Sequence, residues 1–290
     1  MEHSSKPNTE ARGCAGDDDD PVVETKTREG VELVRRAGYH ASTMPDQATD
    51  TTNRPLIVLV HGAWHGAWCW AALQSALDEM GAASIAIDLP GHGASNLPFG
   101  DLHADAQHVV DVVSRLGQSV VLVGHSYGGA VITEASHRLQ SSNVDVRHLV
   151  YLAAFCLDTG ESVMDLARHP SGGPVDLGDA MVMIDGGLSV LEPAKAAPAL
   201  YGDCPDAPVL AAIARLCPQP MATVLQPTTG AGWKTIDSTY VVCTRDRSVH
   251  PGHQEYMAQR CRRVIRLDTD HSPFLSKTAE TAEILVGVAR

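Results

Sequence analysis

The hydrophobic pattern divides the chain near residue 55. Ser, Thr, Asn, Pro and the acidic run Gly16–Asp20 dominate before it, with no sustained apolar period. Residues 1–54 therefore read as a disordered extension, and Met44 is an alternative start. Beyond it, apolar runs and helical stripes take turns. Leu56–Val60 is a continuous apolar run of strand length. Leu73, Ala76, Leu77 and Met80 recur at helical spacing until Gly81 ends the turn. Ser84–Leu89 predicts the next strand, and Ala106, Val109, Val110, Val113 and Leu116 stripe a helix that stops at Gly117. Val120–Val123 and His148–Ala153 predict two further strands, with a helix-compatible stretch between them.

The alternation breaks at about 157–233, a stretch rich in Gly, Pro, Ala and Met with short helical pieces such as Val209–Leu216. This predicts a small insertion over the main body, a lid or cap. The rhythm returns with a strand at Thr239–Cys243, a helix around Gly252–Gln259, a strand at Val264–Leu267 and a closing helix from about Thr278 to Val288. Strands alternating with helices imply an α/β domain whose mostly parallel sheet is covered on both faces.

Composition narrows the function. A formal charge of −13 leaves no surplus of Lys and Arg to neutralise phosphates, which excludes a nucleic-acid partner. No apolar run approaches the roughly 18 residues that span a bilayer, so no membrane association is expected. Seven cysteines lie scattered without a C-x-x-C pair, a pattern expected of free thiols in a reducing compartment, and the expected location is cytoplasmic. Nothing decides between a monomer and a homodimer.

The chemistry lies where strands end, because ligands of open parallel sheets bind beyond the strands' carboxyl ends. Gly124-His125-Ser126-Tyr127-Gly128 joins a strand to a helix through a very tight turn with Ser126 at its apex. By composition alone roughly one unrelated chain in ten of this size contains G-x-S-x-G, so the strand and helix around it carry the inference. Asp246 follows the strand Thr239–Cys243, and His271 follows Val264–Leu267. A serine hydroxyl needs a base, which His271 supplies, and Asp246 would fix the imidazole's tautomer. Asp158 is the rival acid, since it follows His148–Ala153; Asp270 adjoins His271, and Asp237 precedes its strand. Oxyanion donors are expected from the Tyr127 and Ala63 amides, with Gly62 turning the backbone. His61 and His65 stand four apart, but no acidic residue accompanies them and a metal is not expected. Trp64, Met181, Met183 and Leu188 are candidates for the pocket wall, where methionine would make an apolar pocket adaptable.

Five motifs in order, VLVHGAWHGAWCW at 58–70, DLPGHG at 88–93, VGHSYGG at 123–129, STYVVCTRD at 238–246 and DHSPFLS at 270–276, resemble the α/β-hydrolase superfamily. Within it they resemble the plant methyl esterase and hydroxynitrile lyase group and its bacterial carboxylesterase relatives. The resemblance covers roughly 55–290. It implies an α/β-hydrolase fold with a small cap and cofactor-free hydrolysis of a small-molecule ester, methyl esters included. The lyase branch carries threonine where Gly62 stands and lysine where Ser272 stands, so the chain has the esterase pattern. The alternatives are a lyase, a lactone-opening or cyclising enzyme on the same site, or a non-catalytic ligand receptor.

Overall fold

A computed structural model of the chain describes residues 54–290. The extension expected over 1–54 and the alternative start at Met44 lie, Arg54 apart, outside the described residues. Six parallel strands form the main sheet: β1 (Leu56–Val60), β2 (Ser84–Ile87), β3 (Val120–His125), β4 (Val146–Leu152), then β8 (Ser238–Cys243) and β9 (Arg263–Leu267), in the order β2-β1-β3-β4-β8-β9. The chain steps outward from β1 to β2 and returns on the other side of β1 as β3. The carboxyl ends of β1 and β3 thus meet at the switch point where such sheets bind ligands.

Each β1 side chain is buried, and successive ones enter opposite cores. Leu56, Val58 and Val60 pack with the helices Leu102–Ser114 and Tyr127–Leu139, while Ile57 and Leu59 pack with Ala71–Glu79 and Thr278–Val288. Continuous apolar runs, rather than alternating ones, are what a sheet covered on both faces requires. β2 ends at Ile87, short of the expected Leu89, because the Leu89 amide donates to His61 Nε2 (3.1 Å) instead of joining the ladder. β3 runs on to His125 because Leu152 of β4 pairs with it.

Between β4 and β8 the chain forms short helices and a small antiparallel sheet of β5 (Met181–Ile184), β6 (Leu188–Leu191) and β7 (Gln219–Pro220), in that order. No helix among the described residues is long and apolar enough to cross a membrane. Cys69, Cys156, Cys204, Cys243 and Cys261 are free thiols, as expected; Cys217 is disulfide-bonded and departs from that expectation.

Candidate active site

The tight turn begins with two glycines that the backbone leaves no room to replace. A Cβ on Gly124 would meet the Gly128 carbonyl oxygen at 2.4 Å, and one on Gly128 would meet the Val60 and His61 carbonyls at 2.5 and 2.6 Å. Those neighbours are main chain and cannot swing aside. Between the glycines Ser126 takes φ 52°, ψ −121°, a strained conformation for a side-chain-bearing residue. It is 8 % exposed and stands at the amino end of the helix Tyr127–Leu139. Its carbonyl accepts from the Gly129 amide (3.1 Å) and the Phe155 amide (3.0 Å), and its own amide donates to Leu152 (3.3 Å). Ala153, with φ 47°, is the next strained residue, at the end of the neighbouring strand.

Asp246 and His271 are brought together from the loops after β8 and β9. His271 Nδ1 donates to Asp246 Oδ2 at 2.7 Å, and both residues are buried. The Asp246 carboxylate also receives the Ser248 and Val249 amides (2.6 and 2.9 Å) and Gln254 Nε2 (2.7 Å). Those four donors hold it rigidly. Asp270 does different work: its carboxylate accepts from the Ser272 and Asp203 amides and from Ser276, bracing the loop that carries His271. Asp158 pairs with Lys234 and has no bond to His271, which separates it from the role of rival acid. His125 lies beside the pair, its ring centroid 4.5 Å from that of His271, and its Nε2 donates to the His271 carbonyl (2.8 Å). Burial pushes the His125 pKa well down, so its ring is neutral. Among the described residues no protein hydrogen bond engages Ser126 Oγ or His271 Nε2. Such contacts commonly tighten only when substrate is bound.

The loop after β1 supplies the third side of the site. Val60 pairs with Gly124, so residues 61–65 start directly beside the Ser126 turn. A Cβ on Gly62 would stand 2.9 Å from Ser126 Cβ. Neither the Ala63 nor the Tyr127 amide is donated to a protein acceptor among the described residues, as two oxyanion donors should be. The Tyr127 side chain points away into the core, where its hydroxyl donates to Asp105 (2.6 Å). His61 and His65 have all four ring nitrogens committed. His61 donates to Gly62 O (2.8 Å) and accepts from Leu89, while His65 donates to Ala63 O (2.8 Å) and accepts from the Tyr201 hydroxyl (2.7 Å). Burial lowers the His65 pKa to about 4.

A profile of the alpha/beta hydrolase family matches residues 57–284, most of the chain. This chain is an α/β hydrolase. It is similar to the α/β hydrolase nvfD of Aspergillus novofumigatus, 30 % identical over 234 residues that cover 77 % of this chain and 92 % of that one. A carbendazim hydrolyzing esterase of Nocardioides is 39 % identical over 113 residues, 38 % of this chain and 46 % of that protein. Among solved structures, the methylesterase MES16 of Arabidopsis superposes with a TM-score of 0.69 at 24 % identity, covering 80 % of this chain and 98 % of that one.

The α/β hydrolase places its remaining candidates less uniformly. Trp64 is buried, with φ 63°, and is tied to β6 and β7. Met183 pairs with Ser189 and Met181 with Leu191, so both methionines share the face of the small sheet that meets Trp64. Met183 is 54 % exposed and Met181 half-buried. Leu188 lies on the opposite face, paired with Ile184, and leaves the expected pocket group. Sequence reasoning missed Gln254 and Gln219: both act through the fold rather than through a motif, and no local spacing announces either.

Proposed function

We propose that this α/β hydrolase is a serine carboxylic ester hydrolase working through an acyl-enzyme. The observation that carries the reading is the 2.7 Å His271–Asp246 bond, with the His271 ring against His125, the residue before the strained Ser126 at a helix amino terminus. Ser126 Oγ attacks the ester carbonyl carbon as its proton passes to His271 Nε2, and the carbonyl oxygen becomes an oxyanion facing the Ala63 and Tyr127 amides. Collapse expels the alcohol, which takes the proton from the imidazolium, and leaves the acyl group on Ser126. Water then gives its proton to Nε2 and attacks the acyl carbon. The second collapse releases the carboxylic acid and returns the proton to Ser126. Asp246 keeps Nδ1 protonated and stabilises the imidazolium. Each oxyanion donor is worth about 10²–10³ in rate.

Hydrolysis is favoured over cyanohydrin cleavage by Gly62, where a larger side chain would press on His125 Nδ1 and Ser126, and by Ser272 in place of a lysine. The proposed substrates are small to medium esters of apolar or aromatic acids, methyl esters among them. Met181 and Met183 support that reading, as does the esterase similarity. We place the enzyme in the cytoplasm as a monomer or homodimer acting on a small molecule without nucleic acid, a reading in keeping with its charge and the five free thiols among the described residues. On a panel of p-nitrophenyl and methyl esters, Ser126→Ala is expected to lower kcat by about 10³-fold or more. A fluorophosphonate should add its mass at Ser126. Parent-like turnover by Ser126→Ala would refute the mechanism.

A further inference from the structure

Trp64 holds a left-handed backbone conformation, φ 63°, that a bulky side chain rarely adopts. Its own loop supplies part of the reason, a turn closed by the His65 amide on the Gly62 carbonyl (3.4 Å), and the small antiparallel sheet supplies the rest. The Trp64 amide donates to Gln219 Oε1 (3.1 Å), its indole Nε1 donates to the Ser189 carbonyl and hydroxyl (both 3.2 Å), and its carbonyl accepts the Cys217 amide (3.0 Å). Gln219 and Ser189 are buried, and Gln219 is itself fixed: Nε2 donates to Thr223 (2.9 Å), while Oε1 also meets His92 Nε2 (2.8 Å).

These bonds bear on Ala63 through the planarity of the peptide. The Gly62–Ala63 plane, which carries the Ala63 amide, is pinned at its carbonyl by His61 Nδ1 (2.8 Å). The Ala63–Trp64 plane is pinned at its carbonyl by His65 Nδ1 (2.8 Å) and at its amide by Gln219. Remove the Gln219 acceptor and the buried Trp64 amide is orphaned, with a strained φ free to relax. The second plane then turns about the Ala63 Cα, which it shares with the first, and the Ala63 amide is no longer held from both sides.

We propose that Gln219, backed by Ser189, is a positioning residue for ester hydrolysis, reaching from the small sheet to hold Trp64 left-handed and thereby aim the Ala63 amide at the developing oxyanion. The inference rests on the roles assigned above to Ser126 and Ala63. It makes the strands β6 and β7 part of the catalytic geometry as well as a wall. Gln219 touches no reacting atom.

The test is steady-state kinetics of Gln219→Leu, which keeps the bulk and removes the acceptor, beside Gln219→Glu, which restores an acceptor oxygen. Gln219→Leu is expected to lower kcat by about 10- to 100-fold, a part of the loss from deleting a donor outright. KM should stay within about twofold, because the interaction matters only as charge develops. A trifluoromethyl ketone, which forms a tetrahedral adduct on the serine, should lose affinity in parallel with kcat, while the product acid binds unchanged. Gln219→Glu should recover most of kcat. If Gln219→Leu does not fold, Ser189→Ala is measured instead, with a smaller loss of the same signature expected. Parent-like kcat in the folded variant, or a raised KM at unchanged kcat, would overturn the proposal. If Ser126→Ala is inactive and Gln219→Leu is not impaired, this inference alone fails. If Ser126→Ala retains turnover, the underlying reading fails with it.

Discussion

A Cβ at Gly62 would lie 2.9 Å from both His125 Nδ1 and Ser126 Cβ, closer than real side chains approach. His125 cannot yield easily, since its Nε2 is bonded to the His271 carbonyl and its ring is fully buried. Gly62→Ala is therefore expected to displace Ser126 or the loop that bears Ala63, and to lower kcat at least about tenfold with little change in KM. Ester hydrolysis by the purified variant checks this, and parent-like kcat would contradict it. At this scale the sequence was readable wherever chemistry follows a strand: Ser126, Asp246 and His271 each sit one to a few residues beyond an apolar run. Gln219 and Gln254 were not readable. Gln219 meets Trp64 across 155 residues of chain, and only the fold can close such a distance.

Two elements with the clearest helical stripes are joined by a polar contact that no stripe reveals. Asp105, on the helix Leu102–Ser114, accepts the hydroxyl of Tyr127, which opens the helix Tyr127–Leu139, at 2.6 Å. Its other oxygen, Oδ1, is buried without a partner among the described residues. Burial raises the Asp105 pKa from 3.8 to about 7, against the opposing pull of the Tyr127 bond. The folded form thus keeps a proton that the unfolded chain loses above pH 4, and stability falls as pH rises through that window. The full cost at pH 8 is at most about 4 kcal/mol. Asp105→Asn keeps an acceptor for Tyr127 and cannot ionise. It should be more stable than the parent at pH 8, by about 1–3 kcal/mol, with the advantage shrinking by more than half at pH 5. Urea unfolding at the two pH values measures it. A difference that does not change with pH would show that ionisation is not the cause. The helices themselves were legible from their apolar positions, and so were the strands, to within a few residues. The small sheet was not: β7 is two residues long, and its bonding to β6 depends on tertiary placement.

Across the whole molecule, the site's histidines turn a local arrangement into a global pH response. His61, His65 and His125 are buried and hydrogen-bonded as neutral rings, with burial the largest cause of their lowered pKa values. The alternation of apolar runs made the parallel sheet and its carboxyl-end site foreseeable, but not that so many of its imidazoles would be sealed from water. Their sign is opposite to that of Asp105. Below about pH 6.5 the unfolded chain binds three protons at these rings that the folded chain does not accept until far lower pH; Asp105 binds one in the folded state that the unfolded chain has lost. These rings outnumber Asp105, and burial lowers the pKa of neighbouring His92 as well, so the stability they contribute, present above pH 6.5, is lost as pH falls. Stability should fall between about pH 6.5 and 5. Unfolding in urea at pH 7.5, 6.5 and 5.5 should show that fall, and His65→Gln should reduce the slope by about one proton's worth. A flat profile from pH 7.5 to 5.5, or a slope that His65→Gln leaves untouched, would mean that the buried histidines do not govern acid stability.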